Sequence, residues 1–173
     1  EYCEKNPIDA YKTNTTAVEN AVILSKQARA TLVYISTAGI FDGKKDKYDD
    51  WDIPNPINIY GRSKYQGELY VEKNMEKYFV FRAGWMMGSG PQKDKKFIQK
   101  IMQQIKEGKK VLNVVDDKFG TPTYTYDFAR NVISMLETKL FGVYNLVCDD
   151  NCSRYDVAVE ILKILVLSHK INI

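Results

Sequence analysis

Short apolar, β-branched runs alternate with longer amphipathic segments along this chain of 173 residues. The runs lie at residues 31–36, 78–82 and 142–147, and each predicts a short strand. Between them, apolar side chains recur at helical spacing in residues 8–29 and 57–77, as in helices that pack on a sheet. Strands that alternate with helices predict an α/β fold with parallel strands.

The same reasoning predicts several further elements. An amphipathic helix is expected at residues 97–107, a short strand at 111–115 and a helix from about residue 126. A last helix is expected at residues 155–167 with Ser153 as its cap, and Asn6 is a candidate cap for the first helix.

Composition excludes several classes of protein. The 25 basic and 22 acidic residues give a formal net charge of +3, which is too balanced to predict a nucleic-acid or membrane surface. The three cysteines form no CxxC pair and there is a single histidine, His169, so neither a disulfide framework nor a metal site is expected. No apolar run reaches about 18 residues. We therefore expect a cytoplasmic protein that uses no metal, no nucleic acid and no membrane.

Tyr60 and Lys64 lie four residues apart near the start of the helix expected at 57–77, so both side chains lie on one helix face. An unperturbed tyrosine titrates at about pH 10, and an ammonium beside it lowers that pKa toward the range useful for acid catalysis. Thr37 follows the carboxyl end of the strand at 31–36, where open α/β sheets place ligands. Thr37 is thus placed to hold a substrate oxygen while Tyr60 transfers a proton.

The Tyr-x-x-x-Lys spacing alone is not specific, because a chain with 12 tyrosines and abundant lysine contains it by chance. An exposed helix pair is the alternative interpretation. The polar segment at residues 42–56 carries a group of aspartates around Trp51. We interpret this segment as a solvated lid or rim, with a carboxylate metal site as the alternative.

Two longer stretches carry a family resemblance. Residues 36–43 read STAGIFDG and residues 56–68 read PINIYGRSKYQGE. They resemble the dTDP-4-dehydrorhamnose reductase branch of the extended short-chain dehydrogenase/reductases, whose patterns are Ser-Thr-Asp-Tyr-Val-Phe-Asp-Gly and Pro-x-Asn-x-Tyr-Gly-x-Ser-Lys-x-x-Gly-Glu. Residues 82–88 and 120–127 are similar to the same branch's Arg-x-x-Trp-x-x-Gly and Gly-x-Pro-Thr-Tyr-x-x-Asp. The resemblance extends over about residues 4–165.

The resemblance implies a fold, an activity and a set of site residues. The fold would be a partial Rossmann-like parallel sheet with a small C-terminal substrate-binding subdomain. The activity would be reduction of a nucleotide-linked 4-keto-6-deoxy sugar with NADPH or NADH. The resemblance is also compatible with a homodimer. Thr37, Tyr60 and Lys64 would be catalytic. Ser36, Tyr60 and Lys64 would contact the cofactor. Thr37 and Trp85 would contact the substrate. The alternative interpretation of Trp85 is that its side chain only fills the core.

The resemblance also implies a division of the chain. Residues 1–87 and 124–140 would belong to the dinucleotide-binding domain, and residues 88–123 and 141–173 to the substrate-binding subdomain.

The first glycine is Gly39, so no glycine-rich phosphate turn precedes the catalytic stretch. We therefore interpret the chain as a fragment that is inactive alone. Its unpaired strand edges predict self-association or poor folding.

Two residues depart from the reductase pattern. Ala38 and Gly39 stand where the branch has Asp-Tyr, and small residues at these positions are similar to those of sugar-nucleotide epimerases. Dehydratases of the superfamily carry Asp-Glu there, which disfavours dehydration. An epimerase is thus one alternative. A non-catalytic regulatory subunit with the same fold is the other.

Overall fold

The computed structural model describes residues 2–88, 90, 97–167 and 170–171; His169 lies outside them. The helices among these residues are α1 (Tyr2–Lys5), α2 (Pro7–Tyr11), α3 (Ala17–Ala28), α4 (Ile59–Asn74), α5 (Phe97–Lys106), α6 (Thr125–Thr138) and α7 (Arg154–Ile164). The strands are β1 (Leu32–Thr37), β2 (Tyr78–Ala83), β3 (Trp85–Met87), β4 (Phe119–Gly120), β5 (Pro122–Tyr124), β6 (Gly142–Asn145) and β7 (Cys152–Ser153). A π turn at Lys12–Thr16 joins α2 to α3, and a 3₁₀ turn at Ala38–Ile40 follows β1.

A parallel three-stranded sheet lies in the first of two compact units, which comprises Glu1–Gly84 and Asn131–Leu146. Its strand order is β1-β2-β6, and the register places Thr37 opposite Ala83 at the carboxyl edge. The central strand β2 is buried along nearly its whole length, as expected for a parallel strand covered on both faces. The predicted α/β fold with parallel strands is confirmed.

The core of the first unit fixes α4 against β1. One buried cluster joins α3, α4 and one face of the sheet through Val18, Val22, Tyr34, Val71, Met75 and Val80. The opposite face of β2 carries Phe79 and Phe81, which are fully buried and pack with the rings of Phe141 and Tyr144. Each large apolar side chain buried in this way contributes about 1.5–3 kcal/mol. This core sets where the side chains at the start of α4 lie relative to the end of β1.

The second unit comprises Trp85–Arg130 and Val147–Ile173. It contains a parallel pair, β3 with β5, and an antiparallel pair, β4 with β7. A separate core joins α5 to α7 through Ile101, Leu112, Ala158, Leu162 and Ile171. Ser153 caps α7 in a capping box with Asp156, which confirms the cap predicted from the sequence.

Two predictions about local structure are wrong. Residues 111–115 form no strand; Val111 makes an isolated bridge. Leu112 is buried among the helices, so the apolar run supplies one anchor to that core instead of a strand. Asn6 does not cap α2 with its side chain, because its amide donates to the carbonyl of Tyr2 at the start of the unpredicted helix α1.

The two structural units do not coincide with the division expected from the sequence. β6 pairs with β2 in the sheet of the first unit, although it follows the expected boundary at residue 141. β3 belongs to the second unit, although it precedes the expected boundary at residue 88. The assignment of a cofactor role and a substrate role to the two parts stays a prediction. Within the described ranges, no helix has both the length and the apolar content required to cross a membrane.

Candidate active site

The carboxyl end of β1 passes directly into the 3₁₀ turn at Ala38–Ile40. The hydroxyl oxygen of Thr37 accepts a hydrogen bond from the N–H of Gly39 at 3.1 Å. Ile40 is fully buried and anchors the end of the turn. This bond uses one lone pair of the Thr37 hydroxyl and leaves its O–H hydrogen able to donate to a ligand.

Two side chains fix the first turn of α4. Asn58 Oδ1 accepts from the N–H of Gly61 at 2.8 Å, and Glu4 Oε1 accepts from the N–H of Ile59 at 2.6 Å. Both contacts satisfy N–H groups that a helix start leaves without intrahelical partners. The role of Glu4 was not predicted, because it lies 55 positions away from Ile59 and no local pattern reveals such a contact.

Two glycines allow α4 to approach the turn after β1 very closely. A Cβ on Gly61 would lie 2.3 Å from the carbonyl oxygen of Gly39 and 3.0 Å from Pro56 Cβ, which no side chain can occupy without displacing the backbone. A Cβ on Gly39 would lie 3.3 Å from Thr37 Oγ1 and 3.9 Å from a ring carbon of Tyr60. The structure thus brings Thr37 and Tyr60 together beside Gly39. The Tyr60 side chain remains 42% exposed.

Lys64 is half-buried below Tyr60 on α4. Its ammonium donates to the carbonyl of Ile35 at 2.6 Å and lies 4.2 Å from the centre of the Tyr34 ring. Burial lowers the pKa of Lys64 to about 8, and the Glu68 carboxylate partly opposes that effect. Among the described residues, no hydrogen bond joins the Lys64 ammonium to the Tyr60 hydroxyl. Two of the three ammonium hydrogens are therefore available to other acceptors.

Contacts from the π turn support the first turn of α4 from behind. The Ser63 hydroxyl, which is fully buried, accepts from the Asn14 amide at 3.0 Å and donates to the carbonyl of Tyr60 at 2.9 Å. Thr15 donates its hydroxyl to the carbonyl of Ser63 at 2.9 Å. π turns widen a helix locally and commonly lie near functional sites. Here the widened turn holds the backbone that carries Tyr60.

A buried ion pair lies under α4. Arg82 Nε and Nη2 donate to Glu68 Oε2 at 3.1 and 2.9 Å, and both side chains are almost fully buried. Ser36 lies opposite Arg82 in the sheet and is only 4% exposed. Its hydroxyl and the second Glu68 oxygen are buried and have no hydrogen-bond partner among the described residues. The predicted contact of Ser36 with a cofactor stays a prediction.

The segment at residues 41–55, which we call the rim loop, is tied to the sheet at Asp50. The Asp50 carbonyl accepts from Arg82 Nη1 at 3.4 Å, and its carboxylate accepts from the N–H of Asn145 at 2.5 Å. Trp51 is 92% exposed beside this anchor. The rim loop thus combines a fixed inner edge with a solvated outer edge. Its predicted action as a lid stays a prediction.

The carboxylates of the rim loop bind protein groups. Asp42 accepts from the Tyr48 hydroxyl at 2.6 Å and from the Asn55 amide at 2.9 Å, and these bonds lower the pKa of Asp42 to about 2. Asp52 forms an ion pair with Lys45. In the described part of the chain, no three potential ligands cluster in a way that could hold a metal ion. The aspartates thus order the rim loop itself.

Trp85, expected to contact the substrate, lies in the second unit at the start of β3. The Arg154 guanidinium carbon lies 3.9 Å from the centre of its ring. A Cβ on Gly120 would lie 2.2 Å from the same ring, so the backbone at Gly120 packs directly on the indole. The ring thus has the contacts of a packed residue, and its predicted contact with a sugar stays a prediction. Arg154 was not singled out from the sequence.

A dinucleotide cofactor fits this chain only in part. The Tyr60 hydroxyl and the Lys64 ammonium suit the nicotinamide riboside end, since both stand near the carboxyl end of β1 and can donate to ribose hydroxyls. The described residues before β1 form the helices α1 to α3 and contain no glycine. A cradle for the pyrophosphate therefore does not occur in this part of the chain.

A threonine at the end of a parallel strand, with Tyr-x-x-x-Lys on the next helix, defines a site of the short-chain dehydrogenase/reductase type. Comparison with known families agrees with this class. The chain matches the RmlD substrate binding domain family over residues 1–171. It therefore belongs to this family, within the dTDP-4-dehydrorhamnose reductase-like branch of the extended enzymes, and the recognition made from the sequence is confirmed.

Individual relatives give the same picture. The chain is 33% identical over 162 residues to the spore coat polysaccharide biosynthesis protein SpsK of Bacillus subtilis, covering 93% of this chain and 56% of that protein. It is 34% identical, with a TM-score of 0.91, to the dTDP-4-dehydrorhamnose reductase of Bacillus anthracis solved in complex with NADP, covering 98% of this chain and 59% of that chain. It is also 28% identical over 169 residues to methionine adenosyltransferase 2 subunit beta of Danio rerio, covering 91% of this chain and 52% of that protein.

These likenesses confirm the Rossmann-like class of the fold. The chain spans little more than half the length of each of the three relatives.

Proposed function

We propose that this chain supplies the proton-transfer residues of an NAD(P)H-dependent reductase that acts on a nucleotide-linked 4-keto-6-deoxy sugar in nucleotide-sugar biosynthesis. The observation that carries the proposal is the close contact of Gly61 with Gly39, which brings Thr37 and the exposed Tyr60 to one place. The Bacillus anthracis relative, a dTDP-4-dehydrorhamnose reductase in complex with NADP, supports the substrate class and the cofactor.

The geometry suggests how these residues act on a ketone. The cofactor, when bound, supplies a hydride to the carbonyl carbon. The Thr37 hydroxyl, whose oxygen accepts from the N–H of Gly39, donates its own hydrogen to the carbonyl oxygen. The Tyr60 hydroxyl transfers its proton to the same oxygen as negative charge develops there. The Lys64 ammonium, oriented by the Ile35 carbonyl, stabilises the remaining phenolate and donates to a ribose hydroxyl of the cofactor.

Turnover by the full-length protein tests this function directly. The protein is mixed with NADPH or NADH and a dTDP-linked 4-keto-6-deoxy sugar, and cofactor oxidation and the sugar product are followed together. We expect one molecule of cofactor to be oxidised for each molecule of sugar that is reduced. Folded protein that binds both ligands and oxidises no cofactor would contradict it.

An epimerase is one alternative, and it is supported by the small residues at Ala38 and Gly39. A Cβ on Gly39 would lie 3.3 Å from Thr37 Oγ1 and 3.9 Å from a ring carbon of Tyr60, so a larger side chain at this position would crowd both residues. Interconversion of two sugar epimers without net cofactor oxidation would favour this function over reduction.

A regulatory subunit is the other alternative, and it is supported by the name of the Danio rerio relative. A protein of this kind would change the activity of a partner enzyme and would show no turnover of its own. The presence of Thr37, Tyr60 and Lys64 in one site favours catalysis.

We infer further that the protein acts in the cytoplasm, which its free cysteines Cys3, Cys148 and Cys152 support. A homodimer also stays a prediction.

A further inference from the structure

An arginine in the second unit lies over two aromatic rings. The guanidinium carbon of Arg154 lies 3.9 Å from the centre of the Trp85 ring and 4.8 Å from the centre of the Phe97 ring. Its backbone is fixed, because the N–H of Arg154 donates to the carbonyl of Lys118 at 3.1 Å and Ser153 caps the helix that begins here. The guanidinium is thus held in one place by rigid neighbours.

This guanidinium has no acceptor of its own among the described residues. The carboxylate nearest in sequence, Asp156, accepts from both the N–H and the hydroxyl of Ser153. Elsewhere in the described chain, Arg82 is paired with Glu68 and Arg130 with Asp127. Arg154 is half-buried, and no such pair is formed within the part of the chain that the structure describes.

The absence of an acceptor has an energetic consequence. Burial lowers the pKa of the Arg154 guanidinium, and the opposing influence comes from the Cys152 thiol, not from a carboxylate. A partly buried charge without a counterion is unfavourable. Rings stacked on a guanidinium cover its faces and leave its N–H groups, which point outward in its plane, free to bind an anion.

We propose that Arg154 binds the diphosphate of the nucleotide-linked substrate, with its N–H groups donating to phosphate oxygens beside Trp85. This rests on the proposed function, in which the substrate's sugar is joined to a nucleotide through a diphosphate. The planar N–H fork of arginine matches a phosphate better than a lysine ammonium does. The contact of Arg154 with Trp85 places the anion next to the side chain expected to meet the sugar.

Binding experiments on the full-length protein test the proposal without requiring turnover. Inorganic pyrophosphate, dTDP, thymidine and 2′,5′-ADP are titrated by calorimetry. The variants are Arg154→Gln, Arg154→Lys and, as a matched control, Arg130→Gln, which removes an exposed arginine of the same unit. Thermal melting establishes that each variant is folded.

We expect pyrophosphate and dTDP to bind the parent protein and Arg130→Gln equally. Arg154→Gln should lower the affinity for pyrophosphate and for dTDP by about 10-fold to 100-fold, as expected for a lost charge-assisted hydrogen bond. The affinity of Arg154→Lys for both ligands should lie between those of the parent and Arg154→Gln, because lysine keeps the positive charge but lacks the planar pair of N–H donors. Thymidine should bind weakly and independently of Arg154.

Equal affinity of folded Arg154→Gln and the parent protein for pyrophosphate and dTDP would overturn the proposal, as would a folded parent protein that binds neither. If Arg154→Gln weakens the binding of 2′,5′-ADP and leaves the binding of dTDP unchanged, the assignment to the substrate is overturned and cofactor phosphate is favoured. If dTDP binding depends on Arg154 while the full-length protein reduces no sugar, the proposed reductase function fails and the diphosphate site stands.

Discussion

Gly61 is the residue on which the geometry of the candidate site depends most. A Cβ at this position would lie 2.3 Å from the carbonyl oxygen of Gly39, so Gly61→Ala must push the first turn of α4 away from β1. Overpacking of this kind destabilises by about 1–3 kcal/mol, and the better helix propensity of alanine returns at most about 1 kcal/mol. We predict a modest loss of stability and a fall in turnover of about 100-fold, because Tyr60 moves by about 1 Å.

Gln66→Ala is the control for Gly61→Ala, since Gln66 is exposed on the same helix. Denaturant unfolding and steady-state turnover are measured for both variants of the full-length protein. Wild-type turnover in Gly61→Ala would show that the contact with Gly39 does not position Tyr60.

Lys64 gives a prediction about pH. Its pKa is lowered by burial to about 8 in the folded chain, from an ordinary value of 10.5. Between these two pH values the unfolded chain binds more protons than the folded chain, so the free energy of unfolding rises with pH in this window. One group contributes at most about 1.4 kcal/mol per pH unit. Below pH 8 the contribution is constant and unfavourable.

Lys64→Met removes this group and should remove its part of the pH dependence. The free energy of unfolding is measured for both proteins from pH 7 to about pH 9.5, below the range in which tyrosines ionise. We expect the stability of the parent, relative to Lys64→Met, to increase as pH rises above 8. Parallel pH profiles for the two proteins would contradict the assigned pKa.

Sequence patterns singled out the candidate residues that a local element marks and missed contacts that are made from a distance. Tyr60 and Lys64 are four residues apart on one helix, and Thr37 is marked by the strand that it ends. Glu4 caps α4 from 55 positions away, and Arg154 reaches Trp85 only through the pairing of β4 with β7. Such contacts depend on tertiary structure and leave no local signal.

At the scale of elements, the Glu68–Arg82 pair joins α4, β2 and the rim loop. Both partners are almost fully buried, and Arg82 also reaches the carbonyl of Asp50. Removing one partner leaves the other charge buried without compensation, which destabilises by about 3–5 kcal/mol. Removing both leaves no unpaired charge.

A double-mutant cycle measures this coupling. We predict that Glu68→Leu and Arg82→Met each destabilise strongly, whereas the double variant loses much less stability than the sum of the two. Hydrogen exchange in the rim loop should increase in both single variants. Additive effects on the free energy of unfolding would show that the pair does not act as a unit.

Strands and helices with clear periodicity were predicted correctly, and elements set by tertiary contacts were not. β1, β2 and the first residues of α4 follow directly from the sequence pattern. The π turn at Lys12–Thr16 interrupts the helix expected at residues 8–29, because its groups bond to Ser63 and Tyr34 instead of only along the helix. The run at residues 111–115 had the composition of a strand but joins a helical core.

At the scale of the whole molecule, the candidate site lies in a chain whose described residues before β1 contain no glycine-rich turn for a dinucleotide pyrophosphate. β1 pairs with β2 along one side, and the described residues place no strand on its other side; Ile35 on this strand is 40% exposed. The expectation that the isolated chain self-associates or folds poorly stays a prediction. A monodisperse monomer that melts cooperatively would contradict it.

The measurement that tests the central claim most directly is the turnover of Tyr60→Phe in the full-length protein, with Tyr65→Phe as the control that removes the same atom elsewhere on α4. Loss of the general acid should lower turnover by about 100-fold or more, with the dissociation constants of sugar nucleotide and cofactor unchanged. Tyr65→Phe should keep the turnover of the parent. Parent-like turnover in Tyr60→Phe would show that Tyr60 does not transfer the proton and that the candidate active site is wrongly assigned.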